Sequence, residues 1–229
     1  MKSELGPCIG LIGGLGVGAT VHYYQELAKA HAARDRVLNL VMVHADMNRG
    51  LGFVRAGDQT GLAEYLAGLI AKLANAGAEF AVIPAVTPHI CIGKLQQISP
   101  LPLVNLVEEL QREIETRVLR RVALFGTRFT VESGLFGFLR GVEVVAPAPA
   151  EIDFVHHTYM QLVNAGAGFQ EQRESLSRLA HLLMERDGVE TVILAGTDLA
   201  LLFNESNTDF PHIDCARLQL DAIVRSALD

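Results

Sequence analysis

Short apolar runs alternate along the chain with longer stretches in which apolar residues recur every three or four positions. The runs lie at 8–13 (CIGLIG), 38–44 (LNLVMVH), 80–85 (FAVIPA), 101–105 (LPLVN), 121–126 (RVALFG), 142–147 (VEVVAP) and 191–196 (TVILAG). Too short for helices and apolar on both faces, they read as buried strands. Between them, 19–33, 60–77, 151–163 and 169–188 carry helical spacing, and 214–229 closes the chain as a helix. Strands buried on both faces and separated by helices predict an α/β protein whose parallel sheets are covered by helices.

Two landmarks recur at nearly one offset. A strand enters a glycine turn at Gly13 and again at Gly126, 113 residues on; another ends at Ala85 and again at Gly196, 111 residues on. That repetition predicts a duplication into two pseudosymmetric Rossmann-like lobes. Residues 1–105 form the first and 106–205 the second, with 206–229 returning to the first. Ligands of open parallel sheets sit beyond the carboxyl ends of the strands, so the expected ligand cleft lies between the lobes, walled by these turns.

Composition narrows the function. A net charge of −7, with only 19 scattered Lys and Arg among 229 residues, argues against a nucleic-acid partner. No apolar run reaches the roughly 18 residues that a membrane helix requires. The start, MKSELGP, lacks the apolar region of a signal peptide, so a cytoplasmic protein without a membrane partner is expected. Three cysteines at unrelated spacings, Cys8, Cys91 and Cys215, fit a reducing compartment, and the absence of CxxC and HExxH predicts no metal site.

Each candidate site segment carries two readings. The glycines of GGLGVGAT (13–20), Gly14 foremost, either cradle an anion ahead of a helix or simply turn tightly. Gly14, Gly16 and Ala19 match the weak G-x-G-x-x-A dinucleotide pattern, but the nearest acid, Asp46, lies past the second strand, and no nicotinamide cofactor is expected. Thr127, Thr130 and Ser133 either cap a helix or hold a carboxylate. The long 44–58 loop offers Asn48, Arg49 and Arg55, with Arg suited to a carboxylate or simply solvated.

Taken together, IGLIGGLGVGAT, VIPAVTPH, GTRFTVESGLF, VILAGTDLALL and DCARLQLDAIVRSAL resemble the aspartate/glutamate racemase superfamily, in its aspartate racemase branch, over nearly the whole chain. The resemblance implies two lobes, a small carboxylate or amino acid as ligand, no cofactor, and a homodimer. It also implies a thiol at each of two strand ends, within Cys-Asn-Thr and Cys-Thr-Glu. Here those places read Ala85-Val86-Thr87 and Gly196-Thr197-Asp198.

Two-base inversion requires a proton acceptor and a donor on opposite faces of one carbon, and Ala85 and Gly196 have no proton to move. Alanine at 85 alone would also fit a replaced catalytic cysteine; Gly196 fits that less well. The groups that remain as catalytic candidates are His89, Asp198, Thr87 and Thr197, with Gly14, Asn48, Arg49, Thr127, Thr130 and Ser133 as substrate-binding candidates. One expectation is an enzyme with altered chemistry: one-base isomerisation, elimination or cyclisation of a small carboxylic acid. The other is a catalytically inactive homologue that binds a small carboxylate. A catalyst should hold His89 or Asp198 toward its ligand, whereas a binder is free to bury either in structural hydrogen bonds.

Overall fold

Seven strands, all paired in parallel, divide into two sheets in a computed structural model that describes residues 5–228. The first sheet has the order β2-β1-β3, from β1 (Ile9–Gly13), β2 (Leu40–His44) and β3 (Phe80–Val82). The second has the order β5-β4-β6-β7, from β4 (Arg121–Gly126), β5 (Glu143–Val145), β6 (Thr191–Ala195) and β7 (His212–Asp214). The chain correspondingly divides into two compact units, Met1–Asn105 with Gln219–Asp229, and Leu106–Leu218.

Burial follows the pattern of the apolar runs. β1 and β6 are buried along their whole length, as befits central strands covered on both faces, whereas the edge strand β2 is only partly buried. In the first unit the helices are α1 (Val17–Ala32), α2 (Met47–Arg55), α3 (Gln59–Asn75) and α4 (Ile92–Ile98). Helix α3 buries Leu62, Leu66, Ile70 and Leu73, the i, i+4, i+8, i+11 stripe of an amphipathic helix. In the second unit, α5 (Leu106–Thr116), α6 (Arg128–Glu132), α7 (Pro149–Ala165) and α8 (Gln170–Asp187) precede β6. There Val155, Tyr159 and Leu162 of α7 and Leu176, Leu179 and Leu183 of α8 share one core with Phe125 and Leu194. No helix among the described residues is long and apolar enough to cross a membrane.

Three local expectations need correction. The run 101–105 forms no full strand; it adds a single parallel bridge, Leu103 to Ala81, because Pro100 and Pro102 cannot donate to a ladder. The 44–58 segment is no open loop but holds α2, whose N-terminus is capped by the Asp46 carboxylate accepting from the amides of Asn48 (2.9 Å) and Arg49 (3.1 Å). Residues 206–218 belong with the second unit, since β7 extends that sheet beside β6; the boundary falls within the last helix, α9 (Cys215–Leu228). Its later half joins the first unit, where the buried Gln219 accepts from Tyr23 Oη at 2.9 Å and donates to the Val104 carbonyl at 3.2 Å.

Candidate functional site

The turn after β1 is built on Gly14, at φ +87°, a conformation that favours glycine. A β-carbon there would lie 2.6 Å from the Ala45 carbonyl oxygen and 2.7 Å from the His44 ring. The Gly14 amide donates to Thr20 Oγ1 (3.1 Å), and that hydroxyl donates in turn to the Gly16 carbonyl (2.7 Å). The amide proposed from sequence as an anion donor is therefore engaged inside the turn, and its structural role is to let the chain pass close to β2. Asp46, the one acid near a ribose-holding position, caps α2. Asn48 and Arg49 ride the first turn of that helix, with the Arg49 guanidinium 4.7 Å from the centre of the Tyr65 ring.

Past β3 the chain enters a 3-10 helix, Thr87–Cys91, with Pro88 in its first turn. The His89 ring is 1% exposed, and its Nδ1 lies 2.8 Å from the Ala85 carbonyl oxygen, so Nδ1 carries the proton and donates. Burial lowers the imidazole pKa to about 4, and the ring is neutral at pH 7. Cys91 ends the same turn with its thiol donating to the Pro88 carbonyl at 3.2 Å, and burial pushes its pKa up to about 11. Burial likewise raises Cys8 and Cys215, so all three cysteines are buried thiols rather than poised thiolates.

In the second unit the turns after β4 and β6 abut. Gly126 pairs with Ala195, and a β-carbon on it would stand 2.5 Å from the Ala195 carbonyl oxygen. Thr127 caps α6, its hydroxyl accepting from the Thr130 amide (3.2 Å) and lying 2.9 Å from Thr130 Oγ1. Ser133 donates to the Phe129 carbonyl (2.7 Å) and accepts from the Phe136 amide (2.9 Å). These three hydroxyls form the local capping network that the sequence offered as one of two readings.

After β6 another 3-10 helix, Thr197–Leu201, mirrors the one after β3. Thr197 and Asp198 are both buried, 1% and 2% exposed. The Asp198 carboxylate accepts from the Tyr159 hydroxyl at 3.4 Å. Burial, reinforced by the Asp198 charge, raises the phenol pKa well above its ordinary value, so it stays protonated. Tyr159 was absent from the sequence-based candidates because an aromatic at helical spacing on α7 reads as core. Asp214 was missed as well: it ends β7, caps α9 by accepting from the amides of Ala216 (2.8 Å) and Arg217 (3.3 Å), and burial pushes its carboxyl up to about 6. Its signal, an acid just before a helix, is legible as a cap but not as a shifted group. The structure thus collects the candidates by unit: Ala85, Thr87 and His89 at one turn, Gly196, Thr197 and Asp198 at the other, and among the described residues no group of three or more His, Cys, Asp or Glu suited to a metal ion.

Comparison with known proteins covers almost all of this architecture. A broad specificity amino-acid racemase, RacX of Bacillus subtilis (strain 168), is 26% identical over 148 residues, 62% of this chain and 62% of that protein, so the match spans less than two-thirds of that relative. An aspartate racemase homologue from Pyrococcus horikoshii OT3 superposes with a TM-score of 0.76 at 24% identity, covering 97% of this chain and 99% of the other. The Picrophilus torridus aspartate racemase does so at 0.78 and 22% identity, covering 96% and 94%. At such identities the two structures establish the fold. The model of the Asp/Glu/Hydantoin racemase family matches residues 12–223, from the end of β1 into the last helix and across both strand-end turns, and the chain belongs to that family.

Proposed function

We propose that this protein binds a small amino acid or related carboxylate at its strand-end turns, and that it does not racemise that ligand by the two-thiol route. The observation that carries the reading is the state of the two turns: position 85 is alanine, position 196 is glycine, and the three thiols of the chain are buried and held protonated. Neither strand end carries a thiol, and Cys91, the thiol within the first turn, is buried, bonded to the Pro88 carbonyl and pushed up to a pKa of about 11. The binding reading draws further support from His89, whose ring is spent on the Ala85 carbonyl and whose low pKa makes it a weak base at neutral pH. Relatives named as a broad specificity amino-acid racemase and an aspartate racemase set the ligand class to screen first.

A second reading, a cofactor-independent enzyme with altered chemistry, is favoured by one observation. Asp198 and Tyr159 place two titratable groups together at the end of β6, an arrangement common where protons move. Thermal melts of the protein against D- and L-amino acids and small dicarboxylates test both, since a ligand that binds only the folded state raises the melting temperature. Stabilisation by at least one carboxylate, unchanged after prolonged incubation, supports the binder. Stabilisation accompanied by a new product in the NMR spectrum supports the enzyme. A complete absence of stabilisation across the set overturns the assignment.

A further inference from the structure

Gly196 raises a question that its backbone does not answer. Its φ of −154° and ψ of 117° are extended values that any residue adopts, so conformational freedom is no reason for glycine here. Space is the reason. A β-carbon on Gly196 would fall against the Tyr159 ring, 2.7 Å from Cζ and 3.0 Å from the hydroxyl oxygen. Tyr159 itself is 8% exposed and packed in the core between α7 and β6, so the ring has little room to withdraw.

We propose that Tyr159 is the specificity-determining residue of the β6 end: its phenol takes the place that a side chain at position 196 would hold, and its one O–H, which Asp198 accepts in the free protein, turns to the bound carboxylate. The inference rests on the carboxylate-binding function proposed above. Three observations support it. The bond from Tyr159 to Asp198 is long, 3.4 Å, and therefore weak enough to be exchanged for a carboxylate oxygen of a ligand. Burial and the neighbouring Asp198 both oppose ionisation of the phenol, which makes it a hydrogen-bond donor and not a base. The hydroxyl oxygen would stand 3.0 Å from a β-carbon at 196, so Tyr159 brings its polar atom to the volume that a side chain at 196 would enter.

A double-mutant cycle on Gly196→Ala and Tyr159→Ala, read by thermal melting, tests the shared volume. Gly196→Ala should lower the melting temperature of the parent by several degrees, and should be neutral or stabilising once Tyr159→Ala has emptied the space. Equal losses in both backgrounds overturn the proposal. Should Tyr159→Ala fail to fold, Tyr159→Leu serves as the second background. With four tyrosines and no tryptophan in the chain, Gly196→Ala alone should also alter the near-ultraviolet circular dichroism of the folded protein.

Tyr159→Phe then keeps the ring and removes the hydroxyl. Titrated with succinate and with D- and L-aspartate, it should bind about tenfold more weakly than the parent, with little change in melting temperature. Equal affinity in parent and Tyr159→Phe overturns the recognition role. If the parent binds none of these carboxylates, the function proposed above fails and the recognition role falls with it, while the cycle decides the shared volume independently.

Discussion

The two 3-10 turns, Thr87–Cys91 after β3 and Thr197–Leu201 after β6, hold equivalent places in sheets of related strand order, yet they spend their polar groups differently. In the first turn the His89 and Cys91 side chains bind locally. His89 reaches back to the carbonyl of Ala85, and Cys91 to that of Pro88, both contacts within five residues. The second reaches across the fold: Asp198 meets Tyr159, 39 residues earlier, from a different helix. Two turns at equivalent places therefore share a backbone device and differ in the long-range partner. The difference teaches where to look for function, because locally satisfied groups stabilise a turn whereas a polar pair drawn from two elements must be maintained by the whole unit.

Glycine substitutions break the comparison most sharply. Gly14 combines φ +87° with a backbone oxygen in the way, so Gly14→Ala should cost about 2–5 kcal/mol, measured by denaturant unfolding. Gly196 is obstructed by a side chain alone and has an extended φ that any residue adopts, so Gly196→Ala should cost less, about 1–3 kcal/mol, because no backbone strain adds to the overlap. A larger loss at Gly196 than at Gly14 would contradict this ordering.

Acid should separate the units next. The folded pKa of His89 is lowered to about 4, so its contribution is present above pH 6.5 and is lost as pH falls from there toward 4, by about 3 kcal/mol in full. His89→Asn, whose amide can still donate to the Ala85 carbonyl, should flatten that part of the stability profile. Asp214 has the opposite sign. With its folded pKa raised to about 6, the folded state binds the proton more tightly, and stability falls as pH rises from about 4 to about 6. Asp214→Asn preserves the cap and should remove that smaller slope, seen as a relative gain in melting temperature at pH 7 over pH 4.5. A profile unchanged by either substitution would show that neither group titrates with folding.

Much of the fold was legible in the sequence because its signals are repeated and physical. β1, β4 and β6 are continuous apolar runs, and the stripe of Leu62, Leu66, Ile70 and Leu73 announces α3. β7 escaped because three residues with one buried apolar side chain, Ile213, carry no period. Helix α2 was hidden by its glycines and arginines, although Asp46 ahead of it is an ordinary cap. The site divides in the same way. Thr87, His89, Thr197 and Asp198 are visible because they follow strands. Tyr159 is not, since only three-dimensional packing brings a helix residue onto Gly196.

The most direct test of the central claim, a racemase-family scaffold without thiol chemistry, is exchange in D₂O. The purified protein is incubated with D- or L-aspartate and with D- or L-glutamate, and the α-proton signal is followed by NMR beside a cysteine-dependent racemase of the family. With alanine at 85, glycine at 196 and three buried, protonated thiols, the α-proton signal should persist with no change in enantiomer. Loss of that signal at an enzymatic rate, with both enantiomers appearing, would contradict the account.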